Sequence, residues 1–199
     1  MIEHIIFDLG NVLVNIHPHR TMDQFAKRCP YSEEIIQSFY LSDLHLGFMA
    51  GKYTPEDFYQ EMITKFPCEI KIEEFQSIWN QVIGLPKPGI ERLINQLAEK
   101  YQLSICSNTD PWHWQVALEY MKFSHRFGHF FLSFEMKMNK PRSEVFKLML
   151  DELSTSGEKC LFIDDTYENI ESAEKLGFKC LHGQDPQTFS TELTKLKIL

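Results

Sequence analysis

Four groups of polar side chains lie at or just after short apolar segments, where strands would end and helices begin. They are Asp8, Ser107 with Asn108, Lys140, and the pair Asp164-Asp165. Ligands of open parallel sheets bind beyond the carboxyl ends of the strands, so such a sheet would bring these groups to one cleft. Each group alone has an ordinary structural explanation as a turn, a helix cap or a solvated charge. Their order along the chain favours a reactive site.

The chemistry that this set favours is phosphoryl transfer. A carboxylate such as Asp8 can attack phosphorus and form an aspartyl-phosphate, which divides one difficult displacement into two steps. Because nucleophile and phosphate are both anionic, positive charge is needed, and Lys140 and a carboxylate-bound Mg²⁺ would supply it. Ser107 and nearby backbone N–H groups would donate hydrogen bonds to the phosphate. Without the cation, repulsion predicts a raised pKa for Asp8, Asp164 or Asp165.

The elements that must position these groups follow from apolar periodicity. Apolar runs predict strands at 4–7, 103–107, 130–133, 160–163 and 178–181. Helical spacing predicts helices at 90–101, 112–122, 143–153 and 168–176. This alternation predicts an α/β fold built on a doubly wound parallel sheet.

A helical insert is predicted directly after the first strand. Its apolar residues recur at helical spacing with no convincing strand, which indicates about four helices. Pro and Gly punctuate both crossings, near 15–20 and 84–89, as is typical of a hinged boundary. We therefore predict a catalytic core of residues 1–15 and 86–199 and a small all-helical cap of residues 16–85.

Composition limits the class of partner and the compartment. Twenty basic and 28 acidic residues give a net charge of −8, which argues against a nucleic-acid partner. No apolar run approaches the roughly 20 residues of a membrane helix, and Asp8 interrupts the apolar N-terminal stretch, which disfavours a signal peptide. The five cysteines contain no CxxC, so we expect reduced thiols and a cytoplasmic location. The choice between monomer and homodimer stays open.

These motifs resemble those of the haloacid dehalogenase-like hydrolase superfamily over essentially the whole chain. The first motif, residues 7–12, reads Phe-Asp-Leu-Gly-Asn-Val and is similar to the subgroup that includes bacterial α-D-glucose-1-phosphate phosphatase. The remaining motifs are Ser107-Asn108-Thr109, Lys140-Pro141, and Asp164-Asp165 followed by Asn169. The resemblance implies the same α/β core with a helical cap.

The resemblance also implies a metal centre for Mg²⁺. Asp8 would be both the nucleophile and a ligand of the ion. The backbone carbonyl of Gly10 and the carboxylate of Asp165 would complete the protein ligands. Asp164 would act through a metal-bound water.

The resemblance places the transferring phosphate against Ser107 and Lys140, with Asn108 shaping that site and Lys140 also serving catalysis. Arg20 lies just past the first crossing, and its guanidinium suits phosphate or sugar oxygens, so we expect it to bind substrate. Further cap residues expected to face the site are His17, segment 45–48 and Lys52.

One position departs from the family pattern. Relatives carry a second Asp two residues after the nucleophile, where it protonates the leaving group and then activates water, whereas this chain has Gly10. Such acid–base help is worth about 10²–10⁴-fold in rate. The enzyme would then be slow, would use easily expelled groups such as an anomeric sugar oxygen, or would substitute His17, His19 or His113.

The resulting prediction is a Mg²⁺-dependent phosphatase of a small phosphorylated metabolite, such as the sugar phosphate glucose-1-phosphate. A metal-independent 2-haloacid dehalogenase is one alternative, because those relatives also lack the second Asp. The paired Asp164-Asp165 favours the phosphatase, since the dehalogenases lack that pair. A catalytically weak phosphate-binding or regulatory protein is the other alternative, and only Gly10 supports it.

Overall fold

The first strand lies at the centre of a five-stranded parallel sheet and is buried along its whole length. The computed structural model describes residues 1–40, 42–183 and 185–199. The strands are β1 (His4–Phe7), β2 (Val14–Ile16), β3 (Ile83–Pro86), β4 (Gln102–Ser107), β5 (His129–Leu132), β6 (Cys160–Asp164) and β7 (Lys179–His182). The large sheet has the order β5-β4-β1-β6-β7, with all neighbours parallel. The predicted α/β fold with a doubly wound parallel sheet is confirmed, and the predicted strands differ by about one residue at their ends.

The register of β1 with its neighbours brings the reactive residues to one edge of the sheet. Phe7 pairs with Ile105 of β4 on one side and with Ile163 of β6 on the other. The next residue of each strand is therefore at the same level, which sets Asp8 between Cys106 and Asp164.

Helices cover both faces of this sheet. In chain order they are α1 (Pro18–Arg28), α2 (Glu33–Tyr40), α3 (Asp43–Met49), α4 (Pro55–Lys65), α5 (Ile72–Trp79), α6 (Ile90–Leu97), α7 (Pro111–Tyr120), α8 (Ser133–Met136), α9 (Ser143–Glu152), α10 (Tyr167–Glu174) and α11 (Pro186–Lys195). Ile5 and Phe7 pack into the apolar cluster with α6, α7 and α11, whereas Ile6 packs with α9 and α10. Alternate side chains of a strand point to opposite faces, so both layers are held by β1. Within the described ranges, no helix has the length and apolar character needed to cross a bilayer.

Helices α1–α5 pack around a second apolar cluster that is rich in aromatic rings. Phe48 and Phe58 lie at its centre with their rings stacked 4.0 Å apart, and Trp79 packs edge-on against Phe58. Full burial of each such side chain stabilises the fold by about 1.5–3 kcal/mol. Trp112 of α7 joins the cluster, so the part of the chain that follows the insert contributes a side chain to the interior of α1–α5.

The two crossings into the insert differ from the prediction. Strands β2 and β3 pair antiparallel, with Val14 opposite Pro86 and Ile16 opposite Ile83. The expectation that the insert contains no strand is therefore wrong for its first and last residues. Each strand is only three or four residues long and pairs with a segment about 70 residues away, so periodicity within either one gives little signal.

The expectation of reduced thiols is also wrong for two of the five cysteines. Cys29, just after α1, forms a disulfide with Cys68, and their Cα atoms are 5.4 Å apart. Their spacing of 39 residues carried no pairing signal, because the folding of the insert rather than a local motif brings them together. Cys106, Cys160 and Cys180 are free thiols.

Candidate active site

Lys140 joins two carboxylates beneath the carboxyl edge of the sheet. Its ammonium nitrogen lies 2.7 Å from Oδ1 of Asp8, 2.6 Å from Oδ2 of Asp164 and 2.8 Å from the carbonyl oxygen of Cys106. An ammonium has three hydrogens to donate, so these three acceptors satisfy it completely. The lysine is 4% exposed, and its charge is offset inside the protein.

Asp164 is held from its other side by the start of α10. Its Oδ1 accepts hydrogen bonds from the backbone N–H of Thr166 at 2.8 Å and from Nδ2 of Asn169 at 3.0 Å. Asn169, which belongs to the fourth motif, thereby fixes the orientation of the fully buried carboxylate. Held in this way, the Asp164 carboxylate fixes the position of the Lys140 ammonium that donates to it.

Asn108 forms a reciprocal pair with the backbone of Lys140. Its Oδ1 accepts from the lysine N–H at 2.8 Å, and its Nδ2 donates to the lysine carbonyl at 2.9 Å. This two-point contact fixes the loop that carries the lysine relative to the end of β4. Asn108 thus acts on the site through the main chain of its neighbour.

Three carboxylates lie close enough to hold one metal ion. Oxygen atoms of Asp8, Asp164 and Asp165 lie within 4.8 Å of one another. Carboxylate oxygens are the ligands that Mg²⁺ prefers, and one or two of them with waters and substrate suffice. Asn11, whose role could not be seen in the sequence, donates from Nδ2 to Oδ2 of Asp165 at 3.0 Å and so positions that carboxylate. The residues present fit a divalent cation of this kind.

Asp8 has a raised pKa, as predicted, but burial rather than repulsion between the carboxylates is the largest cause. Burial raises the pKa of Asp8 from 3.8 to about 7; Lys140 opposes this shift, while the negative charges of Asp164 and Asp165 add to it. Burial alone would lower the pKa of Lys140, but the two carboxylates hold it above its ordinary value. The lysine therefore stays a cation, while Asp8 needs a further positive charge to be fully ionised at neutral pH.

A cleft of about 360 Å³ opens over this cluster. Four residues that the sequence predicted to attack or bind phosphate line this cleft, namely Asp8, Ser107, Asn108 and Lys140. The structure does not bring Arg20 to them, because α1 carries that residue to a separate cavity between α5 and α7.

The remaining predicted site residues divide between the cleft and its surroundings. Gly10 and Asp165 line the cleft, whereas Asp164 lies buried behind Lys140. Among the cap residues expected at the site, His45 lines it, and the described lining includes neither His17 nor Lys52. His113 also lines it, but His19 is exposed on α1.

His113 belongs to a buried polar network that joins the insert to the core. Its Nδ1 lies 2.7 Å from Oδ2 of Asp110, and its Nε2 lies 3.0 Å from the carbonyl oxygen of Trp79. The indole N–H of Trp79 donates to the same Asp110 oxygen at 3.1 Å, and its ring stacks on that of His113. Burial would raise the pKa of Asp110, yet His113 and Trp79 together hold it below its ordinary value.

Known proteins resemble this chain in sequence and in fold. Residues 2–177 match the family model of haloacid dehalogenase-like hydrolases. The D-ribitol-5-phosphate phosphatase of Bacteroides thetaiotaomicron is 24% identical over 98% of both chains. A crystal structure of a haloacid dehalogenase-family enzyme from that organism, in complex with magnesium and inorganic phosphate, has a TM-score of 0.86 and 27% identity over 95% of this chain and 99% of that one.

A second solved structure shares only the fold. The L-2-haloacid dehalogenase of Xanthobacter autotrophicus has a TM-score of 0.66 and 18% identity, covering 100% of this chain and 85% of its own.

Proposed function

Because the chain belongs to the haloacid dehalogenase-like hydrolase family, we propose that it is a Mg²⁺-dependent phosphatase of a small phosphorylated sugar or sugar alcohol. The observation that carries this proposal is the set of Asp8, Lys140, Asp164 and Asp165 at one edge of the sheet, beneath a cleft of about 360 Å³. A cleft of this volume suits a small metabolite.

The reaction begins at the carboxylate of Asp8. One of its oxygens attacks phosphorus, the bond to the leaving oxygen breaks, and an aspartyl-phosphate forms. Lys140, already 2.7 Å from this carboxylate, offsets the negative charge that develops on the transferring group. Ser107 lines the same cleft and donates a hydrogen bond to a phosphate oxygen. Water then attacks the phosphorus and releases the Asp8 carboxylate.

Mg²⁺ is the cofactor of this proposal, and when bound it neutralises phosphate charge and orients the group for in-line displacement. Asp8, Asp165 and the carbonyl of Gly10 would hold it, with Asp164 behind them. The mutual approach of the three carboxylates supports this assignment. So does the solved family member of 27% identity that contains magnesium and phosphate.

We further propose that residues 16–85 form a cap that selects the substrate over a core of residues 1–15 and 86–199. His45 and Met49 of α3 line the cleft opposite the core residues, so the cap supplies part of its wall. The aromatic cluster of α1–α5, to which the core adds only Trp112 among the described buried residues, supports this division into cap and core. Closure of such a unit excludes water from the reacting groups.

Two phosphorylated polyols are candidate substrates. Glucose-1-phosphate follows from the subgroup resemblance, and ribitol-5-phosphate from the phosphatase of 24% identity. Both present a phosphate on a polyhydroxylated carbon chain. A cytoplasmic location stays a prediction from the sequence, and the Cys29–Cys68 disulfide argues against it because cytosolic disulfides are rare.

The experiment that tests the function is phosphate release from a panel of sugar and polyol phosphates, with and without Mg²⁺. The panel includes α-glucose-1-phosphate, ribitol-5-phosphate and p-nitrophenyl phosphate, and Asp8→Asn is the control. We expect turnover that needs both Mg²⁺ and Asp8. Chloride release from 2-chloropropionate without metal would support the dehalogenase instead. Binding of BeF₃⁻ with Mg²⁺ but no turnover on any substrate would support the regulatory protein.

A further inference from the structure

Hydrogen bonds join the cap to the core at two places beside the cleft. Around the end of α3, three core side chains donate to cap carbonyls: Ser133 to Met49 at 2.6 Å, Asn139 to Leu46 at 3.2 Å and Lys137 to Gly51 at 3.0 Å. At the end of α5, the carbonyl oxygen of Trp79 lies 3.0 Å from Nε2 of His113 in α7. The second attachment therefore uses a titratable side chain that the proposed mechanism leaves without a role.

Both ring nitrogens of His113 face oxygen atoms that can only accept hydrogen bonds. Nδ1 lies 2.7 Å from Oδ2 of Asp110, and Nε2 faces the carbonyl of Trp79. The Asp110 carboxylate also accepts from the indole N–H of Trp79 and from the backbone N–H groups of Trp112 and His113, so it is saturated with donors and ionised. Because neither oxygen has a hydrogen to give, each ring nitrogen carries one. His113 in this geometry is an imidazolium.

The surroundings of this ring suit a cation. Trp79 is the last residue of α5, and the last carbonyls of a helix lack partners within it and carry partial negative charge. The hydroxyl of Thr21 lies 3.3 Å from the same carbonyl, farther away than the ring nitrogen. The indole of Trp79 also stacks on the ring at 5.1 Å, and an indole face attracts positive charge. His113 is 7% exposed, so this contact is shielded from bulk water.

The cap wall of the cleft begins just beyond this contact. Val82 and Ile83 follow Trp79 by three and four residues, and both line the cleft. On the core side, Asp110 follows Asn108 by two residues, and Asn108 lies at the phosphate end of the same cleft. The contact thus spans from the phosphate side of the cleft to the wall that faces the rest of the substrate.

We propose, resting on the proposed phosphatase function, that His113 is a positioning residue whose imidazolium, paired with Asp110, fixes the end of α5. The bond to the Trp79 carbonyl sets the distance between the wall formed by Val82 and Ile83 and the phosphate site. Both ring hydrogens are donated to protein oxygens, so His113 orients the wall and is not the proton donor missing at Gly10.

The test replaces one ring nitrogen at a time. In His113→Asn the amide nitrogen takes the place of Nδ1, which keeps the bond to Asp110 and removes the bond to Trp79. In His113→Gln the amide nitrogen takes the place of Nε2, which keeps the bond to Trp79. We expect KM for the most active ester of the panel to rise about tenfold in His113→Asn and under about threefold in His113→Gln.

Inorganic phosphate distinguishes positioning of the wall from general damage. In the proposed mechanism it contacts only core groups, so we expect its inhibition constant to stay within about twofold in both variants. His125→Asn is the matched control, because the exposed His125 also has a ring nitrogen 3.1 Å from a backbone carbonyl, that of Lys122. Its KM should equal that of the wild type.

The protonation of the ring has a readout that does not need activity. Nitrogen-15 NMR of the histidine rings at pH 7 detects whether each nitrogen carries a hydrogen, and the signals missing from His113→Gln identify those of His113. We expect hydrogen on both nitrogens. A ring with one bare nitrogen would overturn the assignment, and this measurement applies to the wild type even if His113→Asn does not fold.

Three kinetic results would also decide against the proposal or its basis. An unchanged KM in His113→Asn would show that the bond to Trp79 does not set the wall. Equal rises in both variants, or a parallel weakening of phosphate inhibition, would make His113 a purely structural residue. A wild-type protein with the doubly protonated ring but no turnover on any ester would refute the phosphatase function instead, so the two failures are distinguishable.

Discussion

Gly10 and Ile16 are packed so closely that the glycine has no room for a larger side chain without movement. Cγ1 of the isoleucine would lie 3.1 Å, and its Cδ1 3.5 Å, from a Cβ atom on Gly10. The backbone of Gly10 also forms a bridge with Val14, just before β2 pairs with β3. The residue that replaces the usual acid–base carboxylate is thus part of the junction between core and insert.

This packing predicts an energetic coupling between positions 10 and 16. We expect Gly10→Ala to lower the free energy of unfolding by about 1 kcal/mol more in the Ile16 protein than in Ile16→Ala, where Cγ1 is absent. Urea unfolding of the wild type, both single variants and the double variant gives this coupling. Strict additivity would show that Ile16 moves aside without cost.

The raised pKa of Asp8 predicts that Mg²⁺ binding releases a proton. At pH 6 the carboxyl of the metal-free protein is mostly protonated, since its pKa is about 7. We expect about one proton released per ion at pH 6, almost none at pH 8.5, and an affinity that falls about tenfold per unit below pH 7. Calorimetry in buffers of different ionisation enthalpy measures the release, and Asp8→Asn is the control. A pH-independent affinity contradicts the prediction.

The raised pKa of Asp8 also predicts how the stability of the metal-free protein changes with pH. Between pH 3.8 and about 7, the folded protein keeps the Asp8 proton that the unfolded chain has lost. The contribution of this group to the free energy of unfolding therefore declines as pH rises through that window. Metal-free unfolding curves of wild type and Asp8→Asn should differ in pH dependence in this direction.

Removal of the cation of Lys140 should destabilise the metal-free protein. Lys140→Met leaves Asp8 and Asp164 facing each other without their shared partner, which costs about 3–5 kcal/mol of unfolding free energy at pH 8. We expect added Mg²⁺ to recover part of this loss, because it replaces the missing positive charge. The exposed Lys147→Met is the control, at under about 0.5 kcal/mol. Equal stability of both variants would show that the repulsion between Asp8 and Asp164 is relieved without Lys140.

The hydrogen bond between Trp79 and Asp110 should stabilise the junction of cap and core. Trp79→Phe retains an aromatic ring but removes the N–H that donates to the fully buried carboxylate. We expect a loss of about 1–3 kcal/mol in urea unfolding. Trp114→Phe is the comparison for the loss of ring size alone, because Trp114 is half-buried and its ring packs against that of Phe130 at 5.3 Å. Equal losses in both variants would assign the effect to packing.

The disulfide should stabilise the cap. Closing a loop of 39 residues lowers the entropy of the unfolded chain by an amount worth about 4 kcal/mol. Unfolding with and without dithiothreitol should differ by nearly this amount, whereas Cys29→Ser should not respond to the reductant. Thiol titration in denaturant should find three reactive cysteines before reduction and five after it. Five at the outset would show that the bond does not form.

Asp8 and Asp164 could be predicted from the sequence because they stand at the ends of neighbouring parallel strands, which a parallel sheet aligns. Lys140 lies in the loop between α8 and α9, and its approach to both carboxylates depends on the contact of that loop with Asn108. The contacts that the sequence did not reveal are long-range and lack periodicity. The pairing of β2 with β3 and the Cys29–Cys68 bond both depend on how the insert folds.

Long-range packing also decides which residues of the cap reach the cleft. The sequence favoured Arg20 over His45, because a guanidinium pairs well with phosphate or sugar oxygens. The structure reverses this order, since His45 lines the cleft and Arg20 lines a separate cavity. Only the directions of α1 and α3 separate them, and these directions come from the aromatic packing of the cap. The role of Asn11 needed the structure for a similar reason, because its partner Asp165 is 154 residues away.

The three bonds from Ser133, Lys137 and Asn139 to the cap all end on backbone carbonyls. The attachment therefore does not depend on the side chains that the cap carries at Leu46 and Met49. Variation or redesign of that surface can retune which substrate fits while leaving the attachment in place. Gly51 is the exception, because a Cβ atom there would collide with the carbonyl oxygen of Phe134. A library of cap sequences for new specificities should randomise its neighbours and keep this glycine.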